Sequence, residues 1–253
     1  MELPSIPPIK GIFVTGTDTG VGKTWITAGI AAVWRRWGLK AAYFKPVQSG
    51  CPEEGGRLIP TDARFARDLA GLEEPLEFLT PLTLRLPLAP GVAAVQEGVS
   101  LDWGRVAAAL EELTARYDFF AVEGAGGLYV PLDGNRFLVL DLIRWLHLPL
   151  LVVARAGLGA INHTALTVMA ARHAGLAVAG VILNRYPPKP GLAEQTNPEV
   201  IQEITQVPIL GKISEVEDIN LTAGREGFLA QMDAACRSLE QACAARAFLE
   251  CMV

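Results

Sequence analysis

The stretch GIFVTGTDTGVGKT, residues 11–24, determines how the rest of the chain is interpreted. It opens with an apolar run, continues through a loop rich in glycine and threonine, and ends in Lys23 and Thr24 just before a helical pattern. A strand, a glycine-rich loop and a Lys-Thr pair at a helix start form the layout of a phosphate-binding loop. The glycines let backbone N–H groups close around phosphate oxygens, and the helix N-terminus adds positive partial charge.

Both residues at the end of this loop have predicted roles in binding a triphosphate. Lys23 is expected to reach the β- and γ-phosphates, and the Thr24 hydroxyl is expected to hold Mg²⁺. The spacing departs from the usual pattern, because Gly16 lies one residue too far away and Thr17 holds the expected place. The alternative is an ordinary glycine-rich turn, but Gly-Val-Gly-Lys-Thr after a strand favours the phosphate site.

The composition argues against several classes of protein. Of the 253 residues, 51% are hydrophobic and 19% are charged, and the net charge is −5. A sizeable core is therefore expected, and neither a nucleic-acid partner nor an anionic membrane is. Residues 1–10 do not resemble a signal peptide, and no apolar run is long enough to span a membrane. The four cysteines form no CxxC pair, which favours buried thiols and a cytoplasmic location over a disulfide framework or zinc site.

Strands and helices alternate along the chain. The pattern predicts strands over 11–15, 40–44, 118–122, 148–154, 178–183 and 208–213, and helices over 22–37, 62–70, 101–117, 137–146, 159–174, 199–205 and 227–249. Proline and glycine concentrate in 51–60, 75–100 and 187–197, which are predicted surface loops. The alternation predicts a single three-layer α/β domain with a mostly parallel sheet and helices on both faces, of the P-loop NTPase type.

Polar residues that directly follow the predicted strands are the candidates for a site, because ligands bind beyond the carboxyl ends of strands in open α/β sheets. Glu123 stands where a second metal-directed carboxylate is expected, and Mg²⁺ prefers such hard oxygen ligands. Asn184 offers an amide that can bind a base edge. For Lys45 a surface lysine is an equally good interpretation, and for Arg185 a surface position is favoured.

Five segments stand out: VTGTDTGVGKT (14–24), FKPVQSG (44–50), VEGAGG (122–127), GAINH (159–163) and GVILN (180–184). Together they resemble the ATP-dependent dethiobiotin synthetase family of biotin biosynthesis. They occur in the family's order, and the family's own phosphate loop carries the extra residue noted above. The resemblance spans a core of about residues 11–215, and an extra C-terminal helix at about 224–250 lies outside it. The resemblance implies an ATP- and Mg²⁺-dependent ligase that acts on small molecules, 7,8-diaminononanoate and CO₂, and closes a cyclic urea ring through a carbamic–phosphoric anhydride.

The resemblance also implies roles for individual residues. Lys23 and Lys45 are the implied catalytic residues, with Lys45 between the carbamate and the γ-phosphate. The implied metal ligands are Thr24, Asp62 and Glu123. The implied ATP-binding residues are Gly20, Val21, Gly22, Lys23, Thr24, Trp25, Asp62, Glu123, Gly124, Ala125, Gly126, Asn184, Arg185, Ser214, Glu215 and Val216. The implied substrate-binding residues are Thr19, Lys45, Ser49, Leu158, Gly159, Ala160, Ile161 and Asn162.

A homodimer with a shared active site is implied as well, because residues 158–162 match the helix start that serves the neighbouring subunit in this family. At 214–216 the chain departs from the family, whose members often carry a proline-containing adenine loop there.

Two other functions share the predicted fold. One is a switch ATPase of the partitioning or division-site type, which carries a second lysine in the loop where this chain has Asp18. The other is an amidotransferring synthase, for whose glutaminase domain this chain has no room.

Overall fold

A computed structural model describes residues 3–134, 136–215 and 222–245 of the chain. Its strands are β1 (Lys10–Gly16), β2 (Ala41–Phe44), β3 (Val47–Gln48), β4 (Glu53–Glu54), β5 (Arg57–Leu58), β6 (Leu82–Thr83), β7 (Phe119–Glu123), β8 (Pro131–Asp133), β9 (Phe137–Leu138), β10 (Leu150–Arg155), β11 (Val178–Tyr186) and β12 (Ile209–Ser214). Its helices are α1 (Lys23–Arg36), α2 (Thr61–Ala70), α3 (Leu76–Leu79), α4 (Pro90–Glu97), α5 (Trp103–Thr114), α6 (Val139–Leu146), α7 (Ala160–His173), α8 (Leu192–Thr205) and α9 (Thr222–Ala245).

The central sheet has six strands in the order β12-β11-β10-β1-β7-β2, and every neighbouring pair is parallel. This confirms the predicted α/β fold. The order places β1 inside the sheet, between β10 and β7, so the phosphate loop that follows β1 emerges at the middle of the carboxyl edge. A crevice at such a switch in strand order is the usual ligand site of open α/β sheets.

The central strands are buried on both faces. Ile12, Phe13 and Val14 of β1 are fully buried. This agrees with their unbroken apolar run, because helices cover both faces of a parallel sheet. The C-terminal helix α9 joins this core through Phe228 and Met232, whose side chains lie against Gly29 of α1. Within the described residues no helix is both long enough and apolar enough to cross a membrane.

The prediction that 75–100 is an irregular surface stretch was wrong. The segment contains α3, β6 and α4, and it buries Leu79, Leu82 and Leu84. Two of its prolines begin helices: Pro75 caps α3, and Pro90 occupies the first turn of α4, where a missing backbone N–H costs nothing. The segment consequently forms one wall of the cavity described below.

The predicted loop at 187–197 was also wrong in its second half. Helix α8 begins at Leu192 and continues through Pro198. Two hydrogen bonds tie this part of the chain to its surroundings: the Tyr186 hydroxyl donates to the Glu194 carbonyl at 2.6 Å, and Asn197 Nδ2 donates to the Ala156 carbonyl at 2.8 Å. Tertiary contacts of this kind override a local breaker signal.

Smaller differences concern the ends of elements. The predicted loop 51–60 contains the β4–β5 hairpin, which turns at Gly55 and Gly56 with positive φ. Residues 137–138 form a short strand before α6 instead of its first turn. Helix α9 begins at Thr222, five residues before the predicted start, and the predicted end of this helix at 246–249 lies outside the described residues.

Candidate active site

A cavity of about 620 Å³ opens at the carboxyl edge of the sheet, beside the phosphate loop. It brings together predicted site residues from five separate stretches of sequence. The predicted residues that line it are Thr19, Gly20, Gly22, Lys23, Thr24, Lys45, Ser49, Asp62, Glu123, Ala125, Gly126 and Arg185. Residues 87–90, just before and at the start of α4, complete the wall and were missed.

The phosphate loop is held in place by a contact from the end of β11, two strands away from β1 in the sheet. Gly22 caps α1 with a φ of 95°, and a Cβ atom there would lie 2.0 Å from Asn184 Nδ2. Only glycine fits both this backbone conformation and this close approach. Asn184 Nδ2 donates to the Val21 carbonyl at 2.9 Å, so the end of β11 fixes the shape of the loop.

Lys23 is folded back over its own loop. Its side chain is buried, and Nζ donates to the Asp18 carbonyl at 3.2 Å. Burial lowers the pKa of Lys23, since the charged ammonium loses solvation, although the nearby Glu123 carboxylate acts in the opposite direction. A buried ammonium of this kind is favoured when anionic oxygens enter the cavity.

Lys45 was not clearly assigned by the sequence, and the structure removes the surface interpretation. Its ammonium forms ion pairs with Asp62 and with Glu123 Oε1, the latter at 2.8 Å. Burial by itself would lower the pKa of Lys45, but the two carboxylates outweigh it, and the net pKa lies above the ordinary lysine value. Lys45 therefore presents a permanent positive charge to the cavity.

Glu123 is the centre of the polar cluster. Its Oε1 accepts hydrogen bonds from Thr24 Oγ1 at 2.9 Å and from Lys45 Nζ, while its Oε2 accepts one from the Tyr43 hydroxyl at 2.6 Å. Thr24, Asp62 and Glu123 thus supply hard oxygen donors, which fit Mg²⁺. The described residues form no all-protein metal site, since no three of their acidic, histidine or cysteine side chains are placed to hold a metal together. Two carboxylates and a hydroxyl are the kind of protein contribution that Mg²⁺ takes when phosphates and waters complete its shell.

Two supporting residues of this cluster were missed by the sequence analysis. Gln48 orients the start of α2, since its Nε2 donates to Thr61 Oγ1 at 3.0 Å and its Oε1 accepts from the Asp62 backbone N–H at 3.1 Å. Gln48 lies within a segment that follows a predicted strand, so its position was a usable signal. Tyr43 lies inside β2, where an aromatic residue is ordinary, and no signal marked it.

A smaller recess of about 90 Å³ adjoins the cavity and shares Gly22 and Arg185 with it. Its other lining residues are Trp25, Asn184, Ser214, Glu215 and Phe228. Helix α9 fixes one side, because Gln231 Oε1 accepts a hydrogen bond from the Ser214 backbone N–H at 2.7 Å. The structure therefore brings the predicted residues at the ends of β11 and β12 together, while Val216 lies outside the described residues.

The remaining predicted residues do not line either space. Val21 contributes its backbone carbonyl, which accepts the hydrogen bond from Asn184. Gly124 packs closely on the core, since a Cβ atom there would lie 2.8 Å from the Phe13 ring. Residues 158–162 belong to the start of α7, and Leu158 there is 95% exposed. Within one chain, then, the predicted substrate-binding helix start is not part of the cavity.

Comparison with known proteins decides between the functions that share this fold. Residues 10–222 match the family model described as an AAA domain. The ATP-dependent dethiobiotin synthetase of Thermodesulfovibrio yellowstonii is 41% identical over 83% of this chain and 90% of the relative. That of Anaeromyxobacter sp. strain K is 48% identical over 78% of this chain and 86% of the relative. The chain belongs to the ATP-dependent dethiobiotin synthetase family.

Solved structures agree with the fold of this dethiobiotin synthetase family member. A chain of the MinC:MinD cell division protein complex of Aquifex aeolicus is similar with a TM-score of 0.53, covering 92% of this chain and 96% of that one. The MinD cell division protein of the same organism gives a TM-score of 0.52, covering 92% and 97%. Both are only 16% identical in sequence, so they support the fold and not the function.

Proposed function

We propose that this chain closes the cyclic urea ring of dethiobiotin from 7,8-diaminononanoate and CO₂, converting ATP to ADP and phosphate. Family membership supports the activity. The single observation that carries the proposal to this cavity is the Lys45 ammonium, held 2.8 Å from Glu123 Oε1, whose other donor is Thr24 of the phosphate loop. A carbamate and a triphosphate both bring anionic oxygens, and a buried positive charge between them is what this reaction requires.

ATP would lie along the carboxyl edge, with its phosphates in the loop and its base in the smaller recess. The backbone N–H groups of the loop and the N-terminus of α1 suit the phosphates. Lys23 would turn from the Asp18 carbonyl to the β- and γ-phosphates. The amide of Asn184 and the ring of Trp25 are the groups in the recess best suited to an adenine.

Thr24, Asp62 and Glu123 would hold Mg²⁺. When it is bound, this ion neutralises charge on the β- and γ-phosphate oxygens. In the structure the Lys45 ammonium forms ion pairs with the carboxylates of Asp62 and Glu123. It would therefore move toward the γ-phosphate and the carbamate as the ligands enter.

The reaction begins when one amine of the substrate takes up CO₂ as a carbamate. A carbamate oxygen attacks the γ-phosphorus, the bond from that phosphorus to the ADP oxygen breaks, and a carbamic–phosphoric anhydride forms. The second amine then attacks the carbonyl carbon, the ring closes with loss of a proton, and phosphate leaves. Thr19 and Ser49 line the cavity and would orient the nitrogen-bearing end of the substrate. Positioning and charge neutralisation supply most of the acceleration.

The direct test is incubation of the protein with diaminononanoate, bicarbonate and MgATP. We expect dethiobiotin by mass spectrometry and an equal amount of released phosphate. Phosphate release that is independent of the diamine, with no dethiobiotin, would contradict the proposal and favour a switch ATPase.

A homodimer that shares its active sites completes the proposal. It is supported by the position of residues 158–162, which lie outside the chain's own cavity, and by exposed apolar side chains on and beside α7: Tyr129, Leu158, Leu166 and Met169. Such side chains are typical of a surface that another subunit covers. A sedimentation-equilibrium mass equal to one chain would contradict the dimer.

A further inference from the structure

The two carboxylate oxygens of Glu123 are used differently. Oε1 accepts hydrogen bonds from Thr24 Oγ1 and Lys45 Nζ, at 2.9 Å and 2.8 Å, and both donors line the cavity. Oε2 accepts its hydrogen bond from the Tyr43 hydroxyl, at 2.6 Å. Oε1 therefore faces groups that line the cavity, while Oε2 is engaged by the protein interior.

Tyr43 reaches Glu123 because of the register of two neighbouring strands. Tyr43 on β2 is aligned with Ala121 on β7, two residues before Glu123. Since alternate residues of a strand point to the same face, Tyr43 and Glu123 lie on one face of the sheet, and Lys45, just beyond the end of β2, also contacts Glu123. The Tyr43 side chain is fully buried and is not among the residues that line the cavity. It therefore cannot touch ATP or the substrate.

The hydroxyl of Tyr43 donates to Glu123 from a fully buried position. A buried hydroxyl requires a partner, and a carboxylate is a strong acceptor. The contact also restricts rotation of the Glu123 carboxylate and so determines which of its oxygens faces the cavity.

We infer that Tyr43 is a positioning residue that fixes Glu123 so that only Oε1 is presented to Mg²⁺, beside the Thr24 hydroxyl. The inference rests on the proposed role of Glu123 as a metal ligand. Hydrogen bonds that orient metal-binding carboxylates typically contribute 10- to 100-fold to metal affinity. Tyr43 would thus tune the metal site from outside the cavity.

The test compares Tyr43→Phe with Tyr117→Phe, a matched control. The Tyr117 hydroxyl also donates to a buried carboxylate, that of Glu74, but it precedes β7 and lies at the opposite edge of the sheet. Mn²⁺ serves as the probe, and its dissociation constant from the enzyme–ADP complex is measured by electron paramagnetic resonance of free Mn²⁺. Thermal melting of each variant reports the loss of the buried hydrogen bond itself.

Tyr43→Phe should weaken Mn²⁺ binding about 10- to 100-fold, while Tyr117→Phe leaves it within twofold of the wild type. Both variants should melt at lower temperature, since Tyr43→Phe removes a buried hydrogen bond and Tyr117→Phe removes a partly buried one. In a Glu123→Gln background, Tyr43→Phe should add less than about twofold, because its route to the metal is already lost. If Tyr43→Phe does not fold, Tyr43→Met replaces it, as methionine fills irregular apolar space.

The outcomes separate this inference from the proposed function. If Glu123→Gln binds Mn²⁺ as the wild type does, Glu123 is not a ligand, and both the metal assignment and the role of Tyr43 fail. If Glu123→Gln loses Mn²⁺ while Tyr43→Phe matches Tyr117→Phe, the metal assignment stands and the role of Tyr43 is overturned.

Discussion

The cavity beside the phosphate loop, here called the phosphate end, and the smaller recess that adjoins it, the base end, hold their charges in opposite ways. At the phosphate end, Lys45 and Glu123 form an ion pair whose side chains are 8% and 1% exposed. At the base end, Arg185 and Glu215 lie 3.8 Å apart with side chains that are 49% and 67% exposed. Opposite charges attract far more strongly away from water, whereas an exposed pair contributes about 0–1 kcal/mol. Charge is therefore concentrated where we propose that phosphoryl transfer takes place, and in the proposed base site recognition would rely on shape and neutral hydrogen bonds.

The largest effect is expected at Lys45. Lys45→Ala removes the positive charge proposed to lie between the carbamate and the γ-phosphate. Loss of one such transition-state group costs about 10²- to 10³-fold in kcat. The KM for ATP should change by less than about threefold, because the phosphate loop remains intact. Steady-state kinetics of dethiobiotin formation measures both parameters.

Lys10→Ala is the control for this experiment, since Lys10 is an exposed lysine at the amino end of β1, on the opposite edge of the sheet. Circular dichroism must show that Lys45→Ala is folded, because the substitution leaves two carboxylates without their cation. A folded Lys45→Ala with wild-type kcat would show that the buried charge at the phosphate end does not contribute to catalysis.

An intermediate effect is expected at Asn184. Asn184→Ala removes the hydrogen bond to the Val21 carbonyl that holds the phosphate loop. A hydrogen bond of this type contributes about 1 kcal/mol, so the KM for ATP should rise about fivefold to tenfold while kcat stays within about threefold. Initial rates over a range of ATP concentrations measure the split. A fall in kcat as large as that of Lys45→Ala would abolish the functional distinction between the ends.

Asn197→Ala is the matched control for Asn184→Ala. Asn197 is also buried and also donates to backbone carbonyls, those of Ala156 and Gly157, but it holds a different loop. Asn197→Ala should lower the stability of the protein without raising the KM for ATP.

The same contrast explains what the sequence could predict. The phosphate end follows from local patterns, because a glycine-rich loop and residues directly after strands are visible in the chain order. Lys23, Thr24 and Glu123 were assigned in this way, and they meet in one cavity. Local patterns also predicted the strands of the central sheet, since their apolar runs are long and bounded by clear turns.

What the sequence could not predict depends on strand register and tertiary contact. Tyr43 reaches Glu123 only because β2 lies beside β7, and the pairing order of six strands is not encoded in any one segment. The prediction for segment 75–100 was wrong for a related reason. Its prolines suit a loop equally well, and it is the burial of Leu79 and Leu82 against the core that orders the segment. Helix α9 was predicted, but its contact with Ser214 at the base end was not.

The smallest effect is expected at Glu215. Glu215→Gln removes one member of the exposed ion pair with Arg185 and keeps the size of the side chain. Because water and salt screen such a pair, the KM for ATP should change by less than about twofold. Measurements at low and high ionic strength should give the same ratio between variant and wild type within error. A tenfold rise in KM that shrinks with salt would instead mean that charge at Glu215 takes part in nucleotide binding, and the base end would then resemble the phosphate end in depending on electrostatics.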